Sequence, residues 1–463
     1  MFNDIKRIPT DVTLVSLLKN CSKEKDLCKG IQIHAEISKR NLLEKSLYIG
    51  NALVNMYAKC GTFGKAEDVF EELPVRNVIT WTALISGYVQ NGHYGKALKW
   101  FECMLFEGFS PNELTYVCIL KACGNFRMLS KGQKIHADVV KEGYMENNIV
   151  IGTSVVDMYL KCSAFLQAQE VFDGLGVRNV ITWNVLIHGY IEHGYTVEAL
   201  HSYELMQYEG LSPDEMTFLC VLRACGNIGE VEIGQGIHAK ILSEKTYEKH
   251  ITITTTLVDM YAKCGVLAKA KEVFDGILLH NVVLWTALIS AYAQHAHGEE
   301  ALICFEHMQI HGISPDATTY ICILKAVGKF GALEKGMRIH DEIKRNGLGN
   351  DLSVGNALIS MYMRCRFFVR AQDTFDNLPL HDTLSWTSLL AGYAENGHAL
   401  EALMCFKQMQ LEGVSPDILT FVCTLKACGI IKSTGKGREI HAMVETTSLL
   451  KQIPNIWSWK TLG

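Results

Sequence analysis

No run of about 18 apolar residues occurs in this 463-residue chain, which excludes a helix able to span a membrane. Excess charge of either sign is missing too: 44 Lys and Arg against 49 Asp and Glu leave a formal net charge of −5, with 20% charged and 48% hydrophobic residues. That balance excludes a disordered acidic tail and a histone-like basic protein. Met1–Thr10 has neither an apolar signal core nor an Arg/Ser-rich amphipathic stretch, so no secretory or organelle address can be read there. None of the sixteen cysteines forms a C-x-x-C pair, and a disulfide scaffold would be shorter and denser. They read as small buried apolar residues of a reducing compartment. Period-two alternation, the mark of a strand, is absent. The length exceeds one compact core, leaving several domains or an extended array.

What the chain does have is periodicity. Trp81, Trp183, Trp285 and Trp386 are spaced by 102, 102 and 101 residues, and Pro111, Pro213, Pro315 and Pro416 keep the same steps. Cys60, Cys162, Cys264 and Cys365 follow, as do His34, His136, His238, His340 and His441. Each period divides into three similar pieces of 35, 36 and 31 residues, starting for example at Val78, Glu113 and Ile149. In the first piece Trp81, Leu84, Ile85 and Tyr88 recur at i, i+3, i+4 and i+7, one apolar stripe of a helix. Asn91-Gly92 stops that helix, because glycine accepts the left-handed backbone of a C-cap. A second stripe, Ala97, Leu98, Phe101 and Met104, ends at Gly108, and Ser110-Pro111 prevents continuation. Helices of 11–13 residues cannot stand alone in water, so each hairpin must bury its stripe against the next. The expected fold is an all-α superhelical solenoid of stacked helix-turn-helix repeats.

The block VITWTALISGYVQNGHYGKALKWFECMLFEGFSPN and its two neighbours resemble the P, L and S motifs of pentatricopeptide repeat (PPR) proteins of the plant PLS subclass. In that register the L units are 11–46, 113–148, 215–250, 317–351 and 418 to about 452. The S units are 47–77, 149–179, 251–281 and 352–382; the P units are 78–112, 180–214, 282–316 and 383–417. The resemblance covers about 11–452, between an N-terminal segment 1–10 and an unmatched tail 453–463, and implies an all-α, right-handed superhelical solenoid of about thirteen helix-turn-helix repeats with single-stranded RNA as ligand, one base per repeat. It also implies that the fifth and last residues of P and S units contact the base edge. Here those pairs are Asn51/Asn77, Thr82/Asn112, Thr153/Asn179, Asn184/Asp214, Thr255/Asn281, Thr286/Asp316, Asn356/Asp382 and Thr387/Asp417. Every pair is Asn or Thr followed by Asn or Asp. A carboxylate only accepts, so Asp suits guanine and uracil, which present ring N–H donors; an Asn amide suits adenine or the cytosine edge. The family code pairs Thr with purines and Asn with pyrimidines, which yields 5′-Y A n A U n A G n U G-3′ from Asn51 onward, n marking L units. Helix capping and turn formation are the competing reading of the same residue types.

The L units carry Val15, Val117, Leu219, Ile321 and Val422 at the fifth position, which cannot hydrogen-bond a base. Ile79, Ile181, Val283 and Leu384, at the second position of the P units, either wedge between bases, as the resemblance implies, or pack at the helix start. Lys59, Lys161, Lys263 and Arg364 share one place in the S units and face phosphate or solvent. Cys118, Cys123 and His136 imitate three zinc-finger ligands, but Val140, Lys141 and Glu142 provide no fourth. His34-Ala35-Glu36 is half of a deaminase signature without its C-x-x-C. Gly429–Lys436 departs from a phosphate loop in spacing and in Gly437. No catalysis, metal or cofactor is expected. The resemblance implies a mitochondrial or chloroplast RNA-binding protein, most readily a site-recognition factor for C-to-U editing that presents RNA to a deaminase in trans. RNA stabilisation or splicing, and a protein-binding scaffold, are the alternatives. The negative charge predicts modest affinity and a shallow salt dependence.

Overall fold

The computed structural model describes residues 11–243, 250–277 and 280–446; segments 1–10 and 453–463, and the ends of the L units 215–250 and 418 to about 452, lie outside them. Among the described residues there are 27 helices and no strand: thirteen helical hairpins and one single-turn helix, Tyr144–Asn147. The first helices of the hairpins begin at Asp11, Leu47, Val78, Glu113, Ile149, Val180, Glu215, Ile251, Val282, Ala317, Leu352, Thr383 and Ile418. They coincide with the unit starts of the register set by the resemblance. No helix among the described residues is long and apolar enough to cross a membrane.

Local sequence explains where each helix stops. Helix Val78–Gln90 ends at Asn91, and Gly92 takes φ 78° to turn the chain into helix Tyr94–Phe106. The second helices of the S units, Phe63–Glu72, Phe165–Asp173, Leu267–Asp275 and Phe368–Asp376, have 9 or 10 residues where those of the P units have 13. That missing turn accounts for the shorter S period.

Two compact units are present, Met1–Ala224 and Cys225–Gly463, the division falling inside helix Glu215–Ile228. Within each, successive first helices pack directly on one another, for example Leu47–Lys59 on Val78–Gln90 and Ala317–Phe330 on Leu352–Arg364. In twelve of the hairpins the second helix lies against its own first helix. The predicted stripe Trp81, Leu84, Ile85 and Tyr88 is fully buried, and Ala97, Leu98, Phe101 and Met104 are buried beside it. Each P-unit tryptophan meets the phenylalanine of the preceding S unit edge-on: Trp81 with Phe70, Trp183 with Phe172, Trp285 with Phe274 and Trp386 with Phe375, at 4.6–4.7 Å between centroids. First helices approach closely where a Cβ has no room; one added at Gly87 would sit 2.3 Å from the Ala58 Cβ.

The periodic histidines hold L units to S units. His34, His136, His238 and His340 place Nδ1 at 2.8–3.0 Å from the hydroxyls of Tyr57, Tyr159, Tyr261 and Tyr362. His136 is thus engaged with a tyrosine. Burial pushes the nearby thiols up, Cys118 to about 11 and Cys123 to about 12, so both behave as core groups.

Candidate nucleic-acid interface

The last residue of each P and S unit stands immediately before the first helix of the next unit, in extended backbone, and caps it. Asn77, Asn112, Asn179, Asp214, Asn281, Asp316, Asp382 and Asp417 each accept through Oδ1 the backbone N–H three residues on, at 2.7–3.0 Å. Capping is therefore realised at all eight sites. It uses one polar atom of each cap. An amide can meet a backbone donor only with its oxygen, so the nitrogen of each Asn is left to face elsewhere.

The fifth residues lie one helical turn further along the preceding repeat and reach the same place. Asn184 donates to the Asp214 carboxylate at 2.9 Å, and Asn356 donates to Asp382 at 3.3 Å. Asn51 lies at the limit of such a bond, 3.5 Å from Asn77. The threonines instead donate to the carbonyl four residues back: Thr82 to Val78, Thr153 to Ile149, Thr255 to Ile251 and Thr286 to Val282, each at 2.7 Å. Burial works against ionisation of Asp214 and Asp382. The Thr217 backbone, Asn184 amide and Thr217 hydroxyl outweigh it at Asp214, and the Ser385 hydroxyl and backbone and Asn356 amide do so at Asp382. Both carboxyls sit below the ordinary range.

In the first unit a groove of about 340 Å³ is lined by Asn184 and Asp214 together with Ile181, Met216 and Lys161. It thus gathers a fifth and a last residue, two second-position apolar residues and a basic residue of an S unit. The second positions are not packed at helix starts: Ile79, Ile181, Val283 and Leu384 are 54–63% exposed, and Val12, Tyr48, Leu114, Val150, Met216 and Leu419 repeat the pattern. The S-unit cations divide. Lys161 and Lys263 are held by Asp157 and Asp259 at 2.8 Å, whereas residues 55 and 360, the same places near Lys59 and Arg364, are Asn55 and Ser360.

Two periodic sets escaped the sequence reading. The third residue of every P and L unit except one is Thr or Ser, and all those at fifth-residue junctions are wholly buried: Thr80, Thr115, Thr182, Thr217, Thr319, Ser385 and Thr420. Their spacing to the cap was legible as the third residue of a capping box. The ninth residue of every L unit is basic and exposed, namely Lys19, Lys121, Arg223, Lys325 and Lys426. Positions two, five and nine share one helix face, so a periodicity count of charge would have found them.

A stack of thirteen helical hairpins, eight of which present a polar pair at the junction with the next, places the chain in the class of helical-repeat proteins. Models of the PPR repeat family match residues 76–125, 178–227, 280–329 and 381–429, and the PPR repeat model matches 51–78, 253–282 and 318–348. A chloroplastic pentatricopeptide repeat-containing protein of Arabidopsis thaliana is 35% identical over 426 residues, covering 92% of this chain and 68% of the relative. A mitochondrial one from the same plant is 32% identical over 438 residues, covering 94% of this chain and 42% of the relative. This chain spans 58% and 64% of the length of two further Arabidopsis relatives. The crystal structure of maize PPR10 superposes with a TM-score of 0.64 at 21% identity over 96% of this chain and 69% of that one. PPR10 in complex with an 18-nt psaJ RNA element gives 0.65 at 20% identity, over 96% and 70%. The chain belongs to the pentatricopeptide repeat family.

Proposed function

We propose that the chain binds single-stranded RNA of a plant organelle in a sequence-specific manner, each P and S unit reading one base with its fifth and last residues. The observation that carries this reading is the groove in which Asn184 and Asp214 lie beside Ile181, Met216 and Lys161. Base edge and base face each find a chemically matched partner there. The apolar fifth residues of the L units leave those positions without a hydrogen-bonding group, which suits spacing rather than reading. The finer proposal is a PLS-type site-recognition factor for C-to-U editing that positions RNA for a deaminase acting in trans in a chloroplast or mitochondrion.

Affinity for 5′-YANAUNAGNUG-3′, compared with an RNA in which A and U are exchanged, tests the reading. Clear preference for the first is expected; equal binding favours a protein-binding scaffold. Asn184→Thr, paired with Asp214, is expected to move preference at that nucleotide from uracil toward guanine with the thermal melt unchanged. An unaltered base preference contradicts the assignment.

A further inference from the structure

At six of the eight pairs the buried hydroxyl three residues into the next unit touches both members. The Thr80 hydroxyl lies 2.6 Å from Asn51 Oδ1 and 3.0 Å from Asn77 Oδ1; that of Thr217 lies 2.7 Å from Asn184 Oδ1 and 2.9 Å from Asp214 Oδ1. Where the fifth residue is Thr, the two hydroxyls meet: Thr115 with Thr82, Thr182 with Thr153, Thr319 with Thr286 and Thr420 with Thr387, at 2.6–3.0 Å. Three of these four fifth-position hydroxyls already donate to their own helix, so the bridging hydroxyl is the donor there.

Two junctions lack the complete bridge. After Thr255/Asn281 the third residue is Leu284, which has no hydroxyl. After Asn356/Asp382 it is Ser385, whose hydroxyl reaches Asp382 at 2.7 Å while the buried Asn356 Oδ1 has no partner. The sequence follows the same rule from the opposite side. Where the fifth residue is apolar, in L units, the next third residue is apolar as well: Ile49 after Val15, Ile151 after Val117, Ile253 after Leu219 and Val354 after Ile321.

We propose that this third residue is a positioning residue for base recognition. Its hydroxyl gives its one proton to the fifth side chain and so fixes it beside the cap, whose Oδ1 the backbone N–H of the same third residue holds into the helix end. An Asn cap then offers the groove an amide N–H donor, and an Asp cap offers its second carboxylate oxygen, an acceptor. A donor matches adenine N1 and cytosine N3; an acceptor matches guanine N1–H and uracil N3–H. The inference rests on the RNA-reading proposal and adds the group that makes the reading sharp.

The test uses the whole chain and RNAs carrying each of the four bases opposite Asn184/Asp214 or opposite Thr255/Asn281. Thr217→Val, which keeps the shape and removes the hydroxyl, is expected to lower the uracil-over-cytosine preference about three- to tenfold, the worth of one hydrogen bond. Leu284→Thr is expected to raise the adenine-over-guanine preference at its own nucleotide by a similar factor. A purely structural hydroxyl would alter the melting temperature and leave both ratios where they were, which overturns the proposal. Should Thr217→Val not fold, the Leu284→Thr ratio decides alone. If the unmodified chain shows no base preference anywhere, the RNA reading itself falls, a result distinct from preference that survives Thr217→Val.

Discussion

Two demands meet on single side chains at the repeat junctions. Asp214 satisfies the open end of helix Glu215–Ile228 with one oxygen and, in the proposed reading, offers the other as an acceptor outside. Residues with one polar atom cannot serve in this way, which explains why only Asn and Asp stand at the eight last positions. The histidines show a different single-residue economy. His340 is held down to about 4 from 6.5, chiefly by burial and then by Lys344, while its Nδ1 meets the Tyr362 hydroxyl. Between those two values the unfolded chain binds a proton that the folded chain refuses. The stability contributed is therefore complete above about pH 6.5 and is lost as pH falls toward about 4. Burial moves His34, His136 and His238 in the same direction. The urea midpoint is expected to drop from pH 7 to pH 5, and His340→Asn to flatten part of that dependence. A midpoint independent of pH contradicts the assignment.

At the scale of the element, the hairpin turn demands one residue at positive φ. Gly92, Gly194 and Gly397 supply it in three P units at 78–86°, while the fourth has Ala296 at 63°. A Cβ in the left-handed region costs about 1–2 kcal/mol, partly offset by the greater freedom glycine has when unfolded. Ala296→Gly is therefore expected to stabilise the chain by up to about 1 kcal/mol, read as a higher urea midpoint with unchanged slope. A loss of stability would mean that this turn is not strained. The helices flanking it, Val282–Gln294 and Gly298–Ile310, have the same lengths as their counterparts around Gly92, so the comparison isolates the turn.

Across the whole molecule the net charge is −5, so the proposed RNA affinity would rest on local basic residues. Asp157 and Asp259 already occupy Lys161 and Lys263. Lys59, Arg364 and the five basic ninth residues of the L units remain. If each neutralises one phosphate of a single strand, log affinity falls with log salt at a slope of about −5. Titration between 50 and 200 mM salt is expected to give a slope no steeper than that. A slope near −10 would show a larger basic surface than these residues provide. The L units, which lack a reader at position five, would then contribute through charge what they do not contribute through hydrogen bonds.

The 102-residue clock and the i, i+3, i+4, i+7 stripes were sufficient to determine the helices, their order and the all-α repeat fold. Periodic burial leaves a periodic trace, and local capping residues mark each start. The eight polar pairs were singled out by the family resemblance, which names the fifth and last positions. What no pattern along the chain could decide was how the two members of a pair meet. Asn184 and Asp214 are 30 residues apart, and Thr217 a further three; only the packing of one first helix on the next brings the Asn184 amide within 3 Å of the Asp214 carboxylate and the Thr217 hydroxyl. The same packing decided that capping and groove-lining occur together at Asp214. It also showed that the second-position residues are exposed, since helix-start burial depends on what the neighbouring repeat leaves uncovered.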